Sequence, residues 1–239
     1  MKPIQIRGRL KGLFIRFRLD VVFMPFAHFF IFFGYLTKLS RWINKNKDIP
    51  FNDFYTGKFD YNKRYDLFKY ILDKEGLHKN IDYLEFGVAF GTSIKWWMEK
   101  VKDKNSSFAG FDTFSGLPED WSSFKKGEMT TDNKIPEVND SRCTFYPGLF
   151  QQTLNKFIEG HQFQKRTIVH IDADLYSSTL FVLTTISPFL KKGDIVFFDE
   201  FNVTLHEFKA FTEWSDSFYI GYEVLGAVND YCQVAIKIK

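Results

Sequence analysis

From residue 81 onward, short apolar runs alternate with longer amphipathic stretches. The runs Tyr83–Phe86, Ser107–Asp112, Arg142–Tyr146, Thr167–Asp172 and Ile195–Asp199 have strand length, and turn residues bound them. Near-continuous apolar runs of this kind mark strands buried on both faces, as in a parallel sheet. Between and before them, Asn62–Glu75, Thr92–Lys102, Gln151–Phe157, Ser178–Leu190 and Leu205–Ser215 carry helical spacing. Gly76 is placed to stop the first of these helices. Tyr222–Ala227 and Tyr231–Ile238, split by Asn229-Asp230, read as a closing pair of strands. The alternation predicts an α/β fold, a mostly parallel sheet with helices on both faces.

The first fifty residues follow a different pattern, so an N-terminal arm (1–50) is expected ahead of a globular domain (51–239). Lys2, Arg7, Arg9, Lys11, Arg16 and Arg18 make a basic start, and Val21–Leu36 then carries no formal charge. That stretch is shorter than the ~20 residues a membrane span needs, and Pro25 is expected to kink a helix there. No small-residue cleavage site follows, so a secretory signal is not expected. Residues 1–36 read either as a membrane-surface anchor with its cations facing anionic headgroups, or as an aromatic helix packing on the domain or on a second copy of the chain. Lys38–Asp48 is polar and reads as the join, ended by Pro50.

Composition narrows the function classes. A net charge of +3 is too small for a general nucleic-acid role. Cys143 and Cys232 have no metal-binding spacing and suit a reduced, cytoplasmic setting, at the inner face of a membrane if the arm binds one. The segment Thr113–Asp140 is rich in glycine, proline and acids and reads as a functional loop, a lid with room for one short helix.

The candidate chemistry sits where strands end. In Glu85-Phe86-Gly87-Val88-Ala89-Phe90-Gly91-Thr92-Ser93 a buried strand runs into a tight turn and a helix start, the arrangement that brings backbone N–H groups to a ligand. Glu85 is expected to orient this turn. Asp112, ending the next strand, can accept hydrogen bonds from ribose hydroxyls or cap the backbone. The glycine pattern is a poor match to the dinucleotide fingerprint G-x-G-x-x-G, which weakens a dehydrogenase reading. Asp172, Asp174, Asp199 and Glu200 put four carboxyl groups at two strand ends, where their repulsion calls for a cation. All-oxygen ligation suits Mg²⁺ or Mn²⁺. His170 is expected to point into packing, away from the metal, and His206 to lie near the sheet edge.

Five segments appear in order: LEFGVAFGTS, GFDTFSGLPEDW, PGLFQQTL, HIDADLYSST and GDIVFFDEF. Together they resemble the macrocin O-methyltransferase family of S-adenosylmethionine-dependent enzymes, over about Arg64–Lys239. The resemblance implies a Rossmann-like class I methyltransferase fold, with a seven-stranded sheet whose last strand is antiparallel. It also implies Mg²⁺ and methylation of a hydroxyl on a sugar or glycosylated small molecule. Carried onto this chain, Gly87, Ala89, Gly91, Thr92 and Ser93 would surround the methionine part of the cofactor. Asp112 would hold its ribose, with Thr113 and Phe114 near the adenine. Asp172, Asp199 and Glu200 would hold the metal, and Asp172 or Asp174 would serve as base. The chain departs from the family in Asp-Ala-Asp for Asp-Gly-Asp and in Asp-Glu for Asp-Asp. The competing expectation is a non-catalytic scaffold that keeps the fold.

Overall fold

The structure is a computed structural model describing residues 3–239, with side chains from residue 6; Met1 and the expected cation Lys2 lie outside the described residues. The central strand is β1 (Ile81–Phe86), buried along its whole length. Around it lie β2 (Ser107–Asp112), β3 (Cys143–Pro147), β4 (Arg166–Ile171), β5 (Ile195–Phe198), β6 (Tyr222–Val228) and β7 (Gln233–Ile238). Their order across the sheet is β3-β2-β1-β4-β5-β7-β6. Every pairing is parallel except those of β7, which runs against both β5 and β6. The expected seven-stranded sheet with a reversed last strand is therefore present. It differs from a dinucleotide-binding sheet, whose sixth strand follows the fifth.

Period-two alternation divides the core between the two faces. Leu84 and Phe86 of β1 join one cluster with Val169, Val196 and Phe211. Ile81 and Tyr83 join the other with Phe68, Trp97 and Phe197. The second face is covered by α3 (Lys63–Glu75) and α4 (Thr92–Lys100); the first by α5 (Phe150–Gly160), α6 (Tyr176–Ile186) and α7 (Glu207–Ser217). Gly76 ends α3 as expected, in the left-handed conformation with its N–H on the Leu72 carbonyl. The segment 113–140 contains no helix. It is held by its own backbone, with Leu117 N–H on the Glu128 carbonyl and Thr131 and Asn133 N–H on that of Phe114.

The arm forms two helices, α1 (Pro3–Arg16) and α2 (Asp20–Lys45). α2 continues through Pro25 and well into the expected polar join, ending at Lys45. Its last turns explain why. Leu39, Trp42 and Ile43 recur at i, i+3 and i+4, and this stripe packs on the core. The Trp42 ring lies 4.6 Å from that of Phe201, and its indole N–H donates to the Tyr222 hydroxyl at 2.9 Å. The whole helix is long and apolar enough to cross a membrane by length and composition, with a mean hydropathy of 1.5 over its most apolar window.

Candidate functional site

β1 ends against the chain leaving β4. Gly87 has φ +94°, and a Cβ there would lie 1.7 Å from the Asp172 carbonyl oxygen. Only glycine permits that approach. Asp172 N–H donates to the Phe86 carbonyl at 2.8 Å, and Gly87 N–H to that of Phe111 at 2.9 Å, so three strand ends are tied at one point. Gly91, at φ +73°, leads into the first turn of α4.

Asp112 fastens the turn. Its Oδ2 accepts the N–H groups of Val88 and Ala89, both at 2.8 Å, and its Oδ1 accepts that of Phe114 at 2.7 Å. A carboxylate offers about four lone-pair directions. Three are engaged by backbone, all in the turn after β1 and the loop after β2; Asp112 is not a helix N-cap, the alternative weighed for it, since Gly91 holds that place before α4.

The turn, the end of β2 and the acids after β4 and β5 line one cavity of about 680 Å³. That lies within the ~300–1,000 Å³ of small-molecule and cofactor sites. Glu85, Gly87, Ala89, Thr92, Ser93, Asp112 and Thr113 line it; Gly91 and Phe114, expected beside the cofactor, do not. Phe114 is buried in packing, and its carbonyl gathers the loop instead. Gly116, Leu117, Trp121 and Met129 place the long loop on the cavity wall, where a lid was expected. Leu149, Phe150 and Gln151 at the start of α5 also line it; they fall in the segment PGLFQQTL, to which no site role was given.

Asp172, Asp174 and Glu200 form the acidic wall of the cavity, with Asp199 buried next to them. The cation that meets them is one the sequence did not reveal. Arg64, in the first turn of α3, is buried and lies 3.3 Å from Asp199 Oδ2 and 3.6 Å from Asp172 Oδ2. It also donates to the hydroxyls of Tyr61 at 2.6 Å and Tyr65 at 3.1 Å. Burial works against its charge, but Asp199, the Tyr65 hydroxyl and Asp172 together hold its pKa above the ordinary value. The acids were expected to call for a cation, and this guanidinium supplies part of that charge.

One guanidinium does not offset four carboxylates. Burial, then the charges of Asp199 and Asp174, push Asp172 well above the usual carboxylate range, with Arg64 pulling against them. Burial, then Asp199 and Asp112, raise Asp174 to about 7. Burial, then Asp174 and Asp199, raise Glu200 to about 7. Behind them Glu207 is buried, accepts the Glu200 N–H at 2.9 Å, and is pushed up by burial most of all.

Beside Arg64 lies a second network. The Tyr83 hydroxyl donates to Glu85 Oε2 at 2.7 Å and lies 2.8 Å from His170 Nδ1. A phenol has one proton, and here it goes to Glu85, so Nδ1 donates to the phenol oxygen. His170 Nε2 is buried without a partner. Asp199 Oδ1 is likewise buried and unpartnered. His170, Asp172 and Asp199 bring ligand atoms within 4.8 Å of one another, a group to which Glu200 does not belong. His170 is packed as expected, against Phe68 and Phe197, but it is not turned away from the acids. These unpartnered atoms and raised carboxyl groups fit a divalent cation, and a nitrogen in the set admits Mn²⁺ at least as well as Mg²⁺. His206 is half-buried at the sheet edge, where its Nδ1 accepts the Tyr176 N–H at 3.3 Å.

Several comparisons bear on this geometry. No curated protein matches the chain significantly in sequence. Among solved structures, the calicheamicin methyltransferase CalS11 superposes with a TM-score of 0.58 at 18% identity, over 85% of this chain and 91% of that one. The O-methyltransferase NovP gives 0.55 at 20% identity, over 74% and 79%. An O-methyltransferase from Bacillus cereus in complex with SAH gives 0.52 at 12% identity, over 86% and 90%. At these identities the likeness is one of fold, the Rossmann-like methyltransferase fold. Residues 84–201, running from within β1 through the glycine turn to the acid pair after β5, match the family model described as a methyltransferase domain.

Proposed function

We propose that the chain is an S-adenosylmethionine-dependent O-methyltransferase that methylates a hydroxyl of a saccharide or another small molecule. The observation that carries this reading is the single cavity shared by two walls, one a glycine turn built for close backbone approach, the other a row of carboxylates with raised pKa values. The solved structures of similar fold include one described as a TDP-rhamnose 3'-O-methyltransferase, which supports a sugar-like acceptor.

In this reading the Gly87–Ser93 turn and the start of α4 hold the methionine part of the cofactor, Thr113 lies towards its adenine, and Asp112 keeps the turn in shape. S-adenosylmethionine would supply an electrophilic methyl group; Asp172 and Asp199, with His170 or Glu200 completing the set, would hold a divalent cation, whose contribution would be to lower the pKa of an acceptor hydroxyl. Asp174 faces the same cavity and takes the hydroxyl proton. A base works best with a pKa near the working pH, and a group raised to about 7 meets that condition. Arg64, 3.6 Å from Asp172 and 3.3 Å from Asp199, holds both carboxyl groups in place between turnovers. The loop 113–140 excludes water, and the remaining contribution is alignment of oxygen, methyl and sulfur.

The test is calorimetry of the full chain with S-adenosylmethionine and with NAD, followed by turnover with methyl-labelled cofactor on saccharide extracts. Binding of S-adenosylmethionine and label on an ether oxygen are expected. Binding of NAD alone would overturn the reading.

A further inference from the structure

The apolar part of the arm touches almost nothing in the domain. Phe29, Phe30, Ile31, Phe32 and Phe33 are 55%, 58%, 50%, 36% and 48% exposed. Successive helical residues turn by ~100°, so five in a row face every direction around the axis. Val21, Val22, Met24 and Phe26 are exposed in the same way. A second protein chain covers a stripe of such a helix; only a hydrocarbon solvent covers all of it. On α1, Ile6, Leu10 and Leu13 recur at spacings of four and three, with Phe17 continuing the series just past its end, while Arg7, Lys11 and Arg16 are exposed cations. α1 itself contains no acid. A basic amphipathic helix of this kind suits an anionic headgroup layer. The two helices meet at an elbow closed by Phe14 and Phe23, whose rings lie 5.5 Å apart.

The other end of α2 reaches the site. The Tyr35 hydroxyl donates to Glu213 Oε1 at 2.7 Å, and the Tyr176 hydroxyl donates to Oε2 of the same carboxylate. Tyr176 opens α6, two residues after Asp174. The anchor helix is thus fixed to the wall that carries the acids, and Phe90, Met129 and Leu149 expose apolar surface around the cavity.

We propose that α1 and the first half of α2 form a two-part anchor, α1 in the anionic headgroup layer and residues 21–33 within hydrocarbon, and that the acceptor is a saccharide carried on a membrane lipid. The acceptor class rests on the methyl-transfer reading above; the anchor does not. A domain held at a bilayer by its own helix meets lipid-borne acceptors at high local concentration and soluble ones at no advantage.

The experiment floats the full chain with phosphatidylcholine vesicles and with vesicles containing phosphatidylglycerol. Flotation with the anionic vesicles is expected, reduced at least tenfold in a Phe26→Glu, Phe30→Glu variant whose melting temperature is unchanged, since both positions are exposed. No flotation, or a dimer formed through the arm without lipid, overturns the anchor. Methyl-labelled cofactor is then supplied with vesicles carrying a lipid-linked glycan extract. Label extracting with the lipids, and falling at least tenfold in the variant, supports the acceptor class; label on soluble saccharides at equal rate without vesicles overturns it. A chain that floats but does not bind S-adenosylmethionine keeps the anchor and overturns methyl transfer instead.

Discussion

Arg64→Met is the most informative single change, because the guanidinium it removes meets two buried carboxylates and two phenols. Asp199 and Asp172 lose their cation at 3.3 and 3.6 Å, and the hydroxyls of Tyr61 and Tyr65 lose their donor. Breaking a buried ion pair from one side costs about 3–5 kcal/mol, mostly the penalty of the charge left behind. Asp172 already lies high and can escape part of that penalty by taking a proton, so the lower figure is expected at neutral pH. For a chain of this size ~1 kcal/mol shifts the melting temperature by roughly 2–4 °C, giving a loss of about 6–12 °C at pH 7.5. Near pH 5 the acids with raised pKa values are neutral, and a neutral acid has little need of a guanidinium. The gap between wild type and variant should therefore close by at least half. Thermal denaturation followed by circular dichroism at both pH values reads this directly. A loss of equal size at both would show that Arg64 acts through its stacking on Tyr61 and Tyr65, at 4.0 and 5.1 Å, rather than through charge.

Other outcomes follow from the same wall of acids. Asp174→Asn should lower turnover by ~10²-fold or more while leaving S-adenosylmethionine affinity within a factor of two, and the wild-type rate should rise with pH through about 7 as this base ionises. Without cation, Asp174 and Glu200 hold protons up to about 7 in the folded chain but lose them near 3.8 and 4.5 when unfolded. The folded state then binds more protons across that window, so stability falls as pH rises through it. A flat melting temperature from pH 4 to 7 would contradict the raised values. Excess chelator should stop methyl transfer and Mn²⁺ or Mg²⁺ should restore it, whereas full activity in chelator would leave the carboxylates to act alone. Asp112→Ala removes three backbone hydrogen bonds from the turn and should weaken cofactor binding by about 1.5–3 kcal/mol, measured by calorimetry.

Much of the sheet was legible because its strands are buried on both faces and read as apolar runs that stop at an acid. β2 begins and ends where the pattern placed it, and β1 ends there, its first two residues extending the Tyr83–Phe86 run. Helix starts were less so. α6 opens at Tyr176, two residues before the expected Ser178, because nothing in Asp-Leu-Tyr-Ser marks which residue first adopts helical dihedrals. In the arm, counting charges stopped the apolar stretch at Lys38, yet one stripe of the helix stays apolar through Ile43 and is what docks it. The acids were visible as strand-end residues; their cation was not. An arginine between tyrosines at a helix start is an ordinary surface pattern, and its partners lie more than a hundred positions along the chain. The unpartnered Nε2 of His170 was out of reach for a different reason, since it depends on how the ring is held by Tyr83, a contact made across two strands.

The contact between Gly87 and the Asp172 carbonyl has a mechanical consequence. Two loops that cross with no side chain between them cannot move independently, so any displacement of the cofactor turn is transmitted to the carboxylate one residue's length away. The grip on one substrate and the placement of the group that handles the other thus share a single pivot. Variation that reshapes the acceptor pocket is free to work through the loop 113–140 or the start of α5, but position 87 is closed to it, because even a methyl group would pry the two halves of the reaction apart.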